Sequence, residues 1–296
     1  MTHTVNVPDA PDRIRAAFAD AGVTGWLHAL DIDSAAQLDV DADRSVCTAS
    51  VHKLCLLVAL HDRAATGDLD LTEQVDCSPE GRTPGPTGLA AMLDATRLSL
   101  RDLAYLMMAV SDNAAADLLL ARVGLDAVNR TTARLGLDAT RAVHTFGAML
   151  ASVKEDAGPA GAQALADPHV IARLRALDPA RTNHSTPRDM TRLLRAVWRD
   201  EACPPEHGAA IRRVMGLQVW PHRLASGFPF DDVHVAGKTG SLPTLRNEVG
   251  VVEYPDGGRY AVAVFTRTAH TAATLPAADA VIGTAARIAV DALRNR

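Results

Sequence analysis

Strand-like segments stand near both ends of the chain, and a long helical stretch separates them. Residues 24–31 and 36–47 show the alternation of apolar and polar side chains that is typical of strands, and residues 233–238, 247–254 and 259–267 show it near the C-terminus. Two strands from one end and three from the other can form one antiparallel sheet. Such a sheet brings the two ends of the chain together.

Apolar periodicity predicts helices over residues 10–20, 50–65, 99–110, 114–123, 125–135, 161–177, 187–199, 205–217 and 274–294. The terminal helices would cover one face of the sheet, and the central helices would form a second lobe. We therefore predict an α+β fold with a discontinuous α/β lobe, residues 1–47 and 216–296, and an all-α lobe, residues 48–215. A small-molecule site is expected in the cleft between them.

Composition narrows the class of protein further. The 296 residues are 48% hydrophobic and 22% charged, which is ordinary for a globular protein and excludes fibrous and disordered classes. The net charge is -5 and no basic block occurs, so no nucleic-acid partner is expected. The sequence contains no run of about 18 apolar residues, so no membrane span is expected.

The N-terminus and the cysteines bear on the cellular compartment. No basic segment followed by an apolar one opens the chain, which favours the cytoplasm, although a chain whose leader had been removed would look the same. The four cysteines follow no metal-ligand spacing and are expected to be free thiols. No metal or organic cofactor is predicted, and the oligomeric state is left open.

Lysine is rare in this chain, and its positions are informative. Only three of the 30 basic residues are lysine. Lys53 lies three residues after Ser50 at the start of a predicted helix, so the two side chains share one face. Burial lowers the pKa of a lysine, and a neutral lysine beside a serine can activate the hydroxyl as a nucleophile. The SxxK pattern alone is weak and can arise by coincidence.

A second motif, Ser111-Asp112-Asn113, lies between two predicted helices. The hydroxyl of Ser111 could relay a proton, and the amide of Asn113 could hold both a substrate carbonyl and the lysine. The alternative is a plain helix N-cap, because serine, aspartate and asparagine all cap well.

The third motif, Lys238-Thr239-Gly240-Ser241, lies in a strand-like segment. A backbone N–H on such a strand can complete an oxyanion hole, and a neighbouring hydroxyl and ammonium can bind a carboxylate. The alternative is the end of a strand with a surface lysine.

The three motifs together resemble the active-site serine hydrolases of the class A β-lactamase and penicillin-binding-protein superfamily, whose signature is SxxK, SDN and KTG in this order. The resemblance runs from about Leu27 to the C-terminus. It implies a β-lactamase/transpeptidase-like fold with a five-stranded antiparallel sheet.

The resemblance also implies roles for individual residues. Ser50 matches the acylated nucleophile, Lys53 its activator, and Ser111 the proton relay. Asn113 matches the amide that orients the substrate. The side that binds the substrate carboxylate is matched by Lys238, Thr239, Gly240, Ser241 and Arg246, and the backbone N–H groups of Ser50 and Ser241 match the oxyanion donors. For Arg246, an exposed strand arginine is nearly as good an explanation.

The chain lacks the glutamate that serves the hydrolysis of the acyl-enzyme in class A members of this family. Class A enzymes carry a glutamate, in an ExxxN pattern, before the segment matched here by Ser185-Thr186-Pro187. Between residues 137 and 186 the only glutamate is Glu155, and proline stands at position 159. His144, Asp178 and His184 could supply a base instead, but a surface loop position is the better explanation for each of them. Residues 83–88 also lack the aromatic that class A enzymes often place at the cleft mouth.

These observations favour a serine acyl hydrolase that acts on β-lactams, esters or amides through an acyl-enzyme on Ser50, with slow or atypical deacylation. The missing glutamate keeps two alternatives open. One is an acyltransferase or cyclase of the same fold in an intracellular biosynthetic pathway. The other is a protein that binds β-lactams covalently and turns over little. In each case the expected partner is a small-molecule substrate.

Overall fold

The computed structural model describes residues 9–272 and 274–295. Its α-helices, numbered along the chain, are α1 (Ala10–Asp20), α2 (Lys53–Ala65), α3 (Leu100–Ala109), α4 (Asn113–Val123), α5 (Leu125–Arg134), α6 (Phe146–Ala157), α7 (Pro168–Ile171), α8 (Pro187–Trp198), α9 (Pro205–Met215) and α10 (Pro276–Arg294). Its strands are β1 (Val23–Asp31), β2 (Gln37–Val40), β3 (Val46–Cys47), β4 (Gln74–Cys77), β5 (Thr96–Ser99), β6 (His184–Ser185), β7 (His234–Leu242), β8 (Leu245–Glu253) and β9 (Arg259–Thr268).

The main sheet joins the two ends of the chain. Its strand order is β2-β1-β9-β8-β7, and each neighbouring pair is antiparallel. The N-terminal strand β1 pairs with the C-terminal strand β9, with Leu27 opposite Val264. The predicted α+β fold with a five-stranded antiparallel sheet is confirmed.

Both faces of this sheet are covered, which explains why its central strands are apolar on both sides. In β9, Val262 and Val264 belong to a core formed with α1 and α10. The alternate residues Ala263 and Phe265 belong to the larger core that continues into the helices. On that second face α8 packs against β1 and β9.

Helix α2 forms the centre of the helical part. Its residues from Lys53 to His61 are all buried, so no side of its first two turns faces solvent. A helix that is apolar all round belongs inside a protein. The same core cluster contains both α2 and inner-face residues of the sheet, such as Val249 and Val251. Helices and sheet therefore share one core, and the two-lobe boundaries at 47/48 and 215/216 stay a prediction.

The predicted strand over residues 36–47 is wrong in its second half. Strand β2 ends at Val40, and Asp41 takes a positive φ of 51° that turns the chain. Val46 and Cys47 then form a separate short ladder with His184 and Ser185. The apolar alternation continued across this break because residues on both sides of it are buried.

Two further differences lie in the segments with the weakest periodicity. Strands β4 and β5 pair antiparallel in a small two-stranded sheet that the sequence did not indicate. Residues 146–157 form α6. The helix expected over 161–177 is instead divided into the short helix α7 and the 3₁₀ segments Gly158–Ala166 and Arg175–Leu177. Gly161, with φ 56° and ψ -132°, breaks the first of these 3₁₀ segments.

Within the described residues, no helix is long and apolar enough to cross a membrane.

We expect Leu57→Ala in α2 to lower the free energy of unfolding by about 2–5 kcal/mol, because it leaves a cavity in a fully buried site. Urea unfolding followed by circular dichroism measures this. The matched control is Leu93→Ala, since Leu93 is 88% exposed and its loss should change stability by less than about 0.5 kcal/mol. Equal effects of the two substitutions would contradict the central position of α2.

Candidate active site

Ser50 lies in a 3₁₀ turn, Ala49–His52, that leads directly into α2. The residue before it, Ala49, has a positive φ of 50°, a strained conformation for a residue with a Cβ. A residue distant in sequence stabilises this turn. Both the backbone N–H and the hydroxyl of Thr48 donate to the carbonyl of Asn183, at 3.0 and 2.8 Å. Tertiary contacts thus maintain the strained turn that presents Ser50.

Lys53 is completely buried one turn after Ser50. Its Nζ donates to the carbonyl of Ser111 at 2.6 Å and to Oδ1 of Asn113 at 2.7 Å, and it lies 3.3 Å from Oγ of Ser111. Burial lowers the pKa of Lys53 to about 7, and the nearby charges of Asp112 and Asp117 oppose this shift. At neutral pH a large fraction of this amine is therefore unprotonated and able to act as a base.

The Ser111-Asp112-Asn113 motif is both a helix cap and a part of this cluster. The buried carboxylate of Asp112 caps α4 by accepting from the N–H groups of Ala114 and Ala115. It also accepts from Leu89 in the neighbouring loop. Ser111 has a φ of 59°, and this turn directs its hydroxyl and the Asn113 amide to Lys53. The N-cap interpretation and the functional one hold together.

Gly88 shows how tightly this loop packs on the motif. It has a φ of 61°, and a Cβ at this position would lie 2.3 Å from a carboxylate oxygen of Asp112. Only glycine fits both requirements.

Strand β7 brings a second lysine, Lys238, to the hydroxyl of Ser111. Nζ of Lys238 donates to Oγ of Ser111 at 2.9 Å and to the carbonyl of Thr239 at 2.9 Å. The side chain is fully buried, so the surface-lysine alternative is wrong. Burial and the charge of Lys53 lower the pKa of Lys238 well below its usual range.

Gly240 explains how β7 can approach the nucleophile. A Cβ on Gly240 would lie 2.7 Å from the carbonyl oxygen of Thr48 and 3.0 Å from the nitrogen of Val51. A larger residue would push the strand away from the turn that carries Ser50.

These elements enclose a cleft of about 410 Å³. Six of the residues singled out in the sequence line it: Ser50, Ser111, Asn113, Thr239, Gly240 and Ser241. The other lining residues are Pro86, Thr87, Val110, Trp220, His222 and Arg223. Lys53 and Lys238 lie buried beside it and reach it through Ser111.

Arg246 does not take part in this cleft, which corrects the expectation that it faces a substrate. Its buried guanidinium donates to the carbonyls of Leu242, Leu245 and Ala272 and lies 3.7 Å from Asp279 on α10. The cost of burying its charge is offset by these oxygens.

The arginine that lines the cleft is Arg223, and not Arg246. Arg223 donates to Oγ of Ser241 at 2.7 Å and pairs with Asp279 at 2.7 Å. Sequence reasoning missed it because the segment 217–233 has no strand or helix period that would place it.

An aromatic ring lies over Lys53. The ring centroid of Phe146 is 4.8 Å from Nζ of Lys53. Phe146 is the first residue of α6, and Asp117 fixes it there by accepting from the N–H groups of Phe146 and Gly147 at 2.8 and 2.7 Å. The carboxylates that influence Lys53, Asp112 and Asp117, are thus both engaged by backbone N–H groups.

The alternative bases lie away from the cleft lining. Glu155 is paired with Arg175 at 2.7 Å. His144 donates from Nδ1 to the carbonyl of Thr145 and accepts the hydroxyl of Thr182. His184 donates to the carbonyl of Thr182, and Asp178 accepts from Ala180. In this structure none of these groups is positioned against Ser50.

Among residues 9–272 and 274–295, no group of three or more His, Cys, Asp or Glu side chains is arranged to hold a metal ion.

The cleft combines a serine on a strained turn, two buried lysines and a hydroxyl between them, in the fold of the β-lactamase-like serine hydrolases. The profile of the β-lactamase enzyme family matches residues 9–293. Because this match spans nearly the whole chain, the protein belongs to the β-lactamase enzyme family, and the resemblance based on the three motifs is confirmed.

Individual relatives agree with the family match. The chain is 34% identical to the β-lactamase regulatory protein BlaB of Streptomyces cacaoi over 95% of this chain and 96% of that protein. The structure of a β-lactamase from Sphaerobacter thermophilus is 27% identical, with a TM-score of 0.79 and 97% of each chain covered. The protein PBP-A shares the fold at 21% identity, with a TM-score of 0.78 and with 98% of this chain and 99% of that chain covered.

We expect the rate constant for acylation of the protein by a penicillin to rise with pH and to level off above about pH 7. The expected base is the unprotonated amine of Lys53, because burial lowers its pKa to about 7. Below that pH the rate should fall about tenfold per unit. Intact-protein mass spectrometry of samples quenched at intervals between pH 5 and pH 9 gives the profile. A rate constant that does not change across this range would exclude Lys53 as the base.

Proposed function

We propose that this protein forms a covalent acyl-enzyme on Ser50 with β-lactams, or with related esters and amides, and releases the acyl group slowly. Its biological activity would then be that of a covalent β-lactam receptor more than that of a fast hydrolase.

The acylation step uses the groups around Ser111. Neutral Lys53 takes the proton of the Ser50 hydroxyl as Oγ bonds to the lactam carbonyl carbon, and the oxyanion is received by the N–H groups of Ser50 and Ser241. The C–N bond then breaks. The leaving nitrogen takes a proton from the Ser111 hydroxyl, which is restored from the lysine ammonium 3.3 Å away.

The substrate carboxylate would bind on the β7 side of the cleft. Arg223 supplies positive charge there, Thr239 and Ser241 supply hydroxyl groups, and Lys238 lies buried beside the cleft. A charged, hydrogen-bonding pocket of this kind suits a carboxylate.

The observation that carries the slow release is the ring of Phe146 over Lys53. Hydrolysis of an acyl-enzyme needs a base that activates water, and general-base catalysis contributes about 10²–10⁴-fold. The carboxylates near Lys53 are held by backbone N–H groups, and among the described residues the cleft lining contains no Asp or Glu; the imidazole in that lining is His222. The relative named as a regulatory protein supports the same conclusion.

The test is the mass of the intact protein against time after mixing with a penicillin. We expect an adduct of the full penicillin mass on Ser50 that persists long after acylation is complete. The control is Ser50→Ala, which should fold normally and acquire no adduct.

Three other outcomes would change the account. An adduct that clears as fast as it forms would show an efficient hydrolase with an unrecognised base. An adduct that clears only when an amine is added would favour acyl transfer. Labelling that persists in Ser50→Ala would exclude Ser50 as the nucleophile.

A further inference from the structure

A buried carboxylate lies behind the β7 side of the cleft, and the acylation step described above does not use it. Glu248, on β8, is 1% exposed and stands opposite Thr239 in the sheet register. Its Oε1 accepts from Nε2 of Gln218 at 2.6 Å, and its Oε2 accepts from the backbone N–H of Leu224 at 2.7 Å. Both oxygens are therefore acceptors of short hydrogen bonds, as a carboxylate requires.

Gln218 extends this contact to strand β7. Its Oε1 accepts from the backbone N–H of Thr239 at 2.7 Å. Because β7 is an edge strand of the main sheet, that N–H is satisfied by a side chain and not by another strand. The Gln218 amide therefore links the Glu248 carboxylate to the strand that carries Lys238.

Oε2 of Glu248 holds the segment of residues 217–224, which forms another part of the cleft wall. Leu224 directly follows Arg223, and the same segment carries Trp220 and His222, all three of which line the cleft. One carboxylate thus fixes both the strand and the loop that meet at the predicted carboxylate pocket. Burial raises the pKa of Glu248 to about 7, and its hydrogen bonds to Leu224 and Gln218 oppose this shift; in its ionised form it favours the protonated form of Lys238.

We propose that Glu248 is a positioning residue for acylation: through Gln218 and the Leu224 N–H it holds strand β7 and the 217–224 segment in the arrangement that receives the substrate. This inference rests on the proposed acylation of Ser50. It assigns no contact between Glu248 and the substrate.

The chain offers a variant pair that separates the hydrogen-bond network from simple loss of a side chain. In Glu248→Gln, one N–H group of the new amide must face another donor, so the network loses a bond. In the double variant Gln218→Glu with Glu248→Gln, the carboxylate introduced at position 218 accepts from the Thr239 N–H and from the amide nitrogen introduced at position 248. The amide oxygen at position 248 then accepts from the Leu224 N–H. All the bonds and the total charge are restored.

We expect Glu248→Gln to lower the acylation rate constant at saturating penicillin by about 10- to 100-fold, since a misplacement of about 1 Å has an effect of this size. Its melting temperature should stay close to that of the wild type. The double variant should recover most of the rate. Glu253→Gln, at the end of the same strand, is the matched control and should acylate normally.

Hydrogen exchange followed by mass spectrometry provides a readout that does not depend on acylation. Faster exchange of the Leu224 and Thr239 amides is expected in Glu248→Gln, and slow exchange should return in the double variant. Wild-type acylation of the folded Glu248→Gln protein, or a double variant as slow as the single one, would overturn the inference. If the wild type is not acylated at all, the proposed function fails, and unchanged exchange in Glu248→Gln would separately overturn the positioning role.

Discussion

Two buried lysines converge on one serine hydroxyl, and the rest of the site depends on that contact. Lys53 and Lys238 lie 3.3 and 2.9 Å from Oγ of Ser111. Two ammonium groups this close in a dry interior repel each other strongly, so the pair favours the loss of a proton. The carboxylate of Glu248 favours keeping the charge on Lys238. Burial lowers the pKa of Lys53 to about 7, so this lysine, one turn after Ser50, can take part as an unprotonated amine.

The fold supplies this burial by bringing three distant segments together. Helix α2 carries Lys53 into the core, the α3–α4 junction carries Ser111, and edge strand β7 carries Lys238. Strand β7 packs closely on the nucleophile turn, because a Cβ at Gly240 would lie 2.7 Å from the carbonyl oxygen of Thr48. The ring of Phe146 lies over Lys53. Under the proposed function these parts form the acyl-enzyme, and the apolar ring of Phe146 beside Lys53 supplies no base for its hydrolysis.

The sequence predicted the parts of the molecule that follow a regular period or a short motif. The five-stranded sheet and the buried helix after Ser50 came from such local patterns, and the grouping of Ser50, Lys53, Ser111 and Lys238 was implied by the family resemblance of the three motifs. Arg223, Trp220 and Phe146 were not predicted, because each reaches the cleft from a segment without strong periodicity. Their positions depend on long-range contacts, such as the ion pair between Arg223 and Asp279 or the hydrogen bonds from the start of α6 to Asp117. Arg246 was assigned wrongly for a related reason: Asp279 and backbone carbonyls hold its side chain, and strand position alone does not reveal them.

The most direct measurement is a crystal structure of the protein after exposure to a penicillin. The account predicts electron density continuous with Oγ of Ser50 and an acyl carbonyl between the N–H groups of Ser50 and Ser241. It also predicts that the ring of Phe146 remains over Lys53, with no carboxylate placed to activate water. An intact lactam in the cleft, an adduct on another residue, or a carboxylate moved against the ester would contradict it.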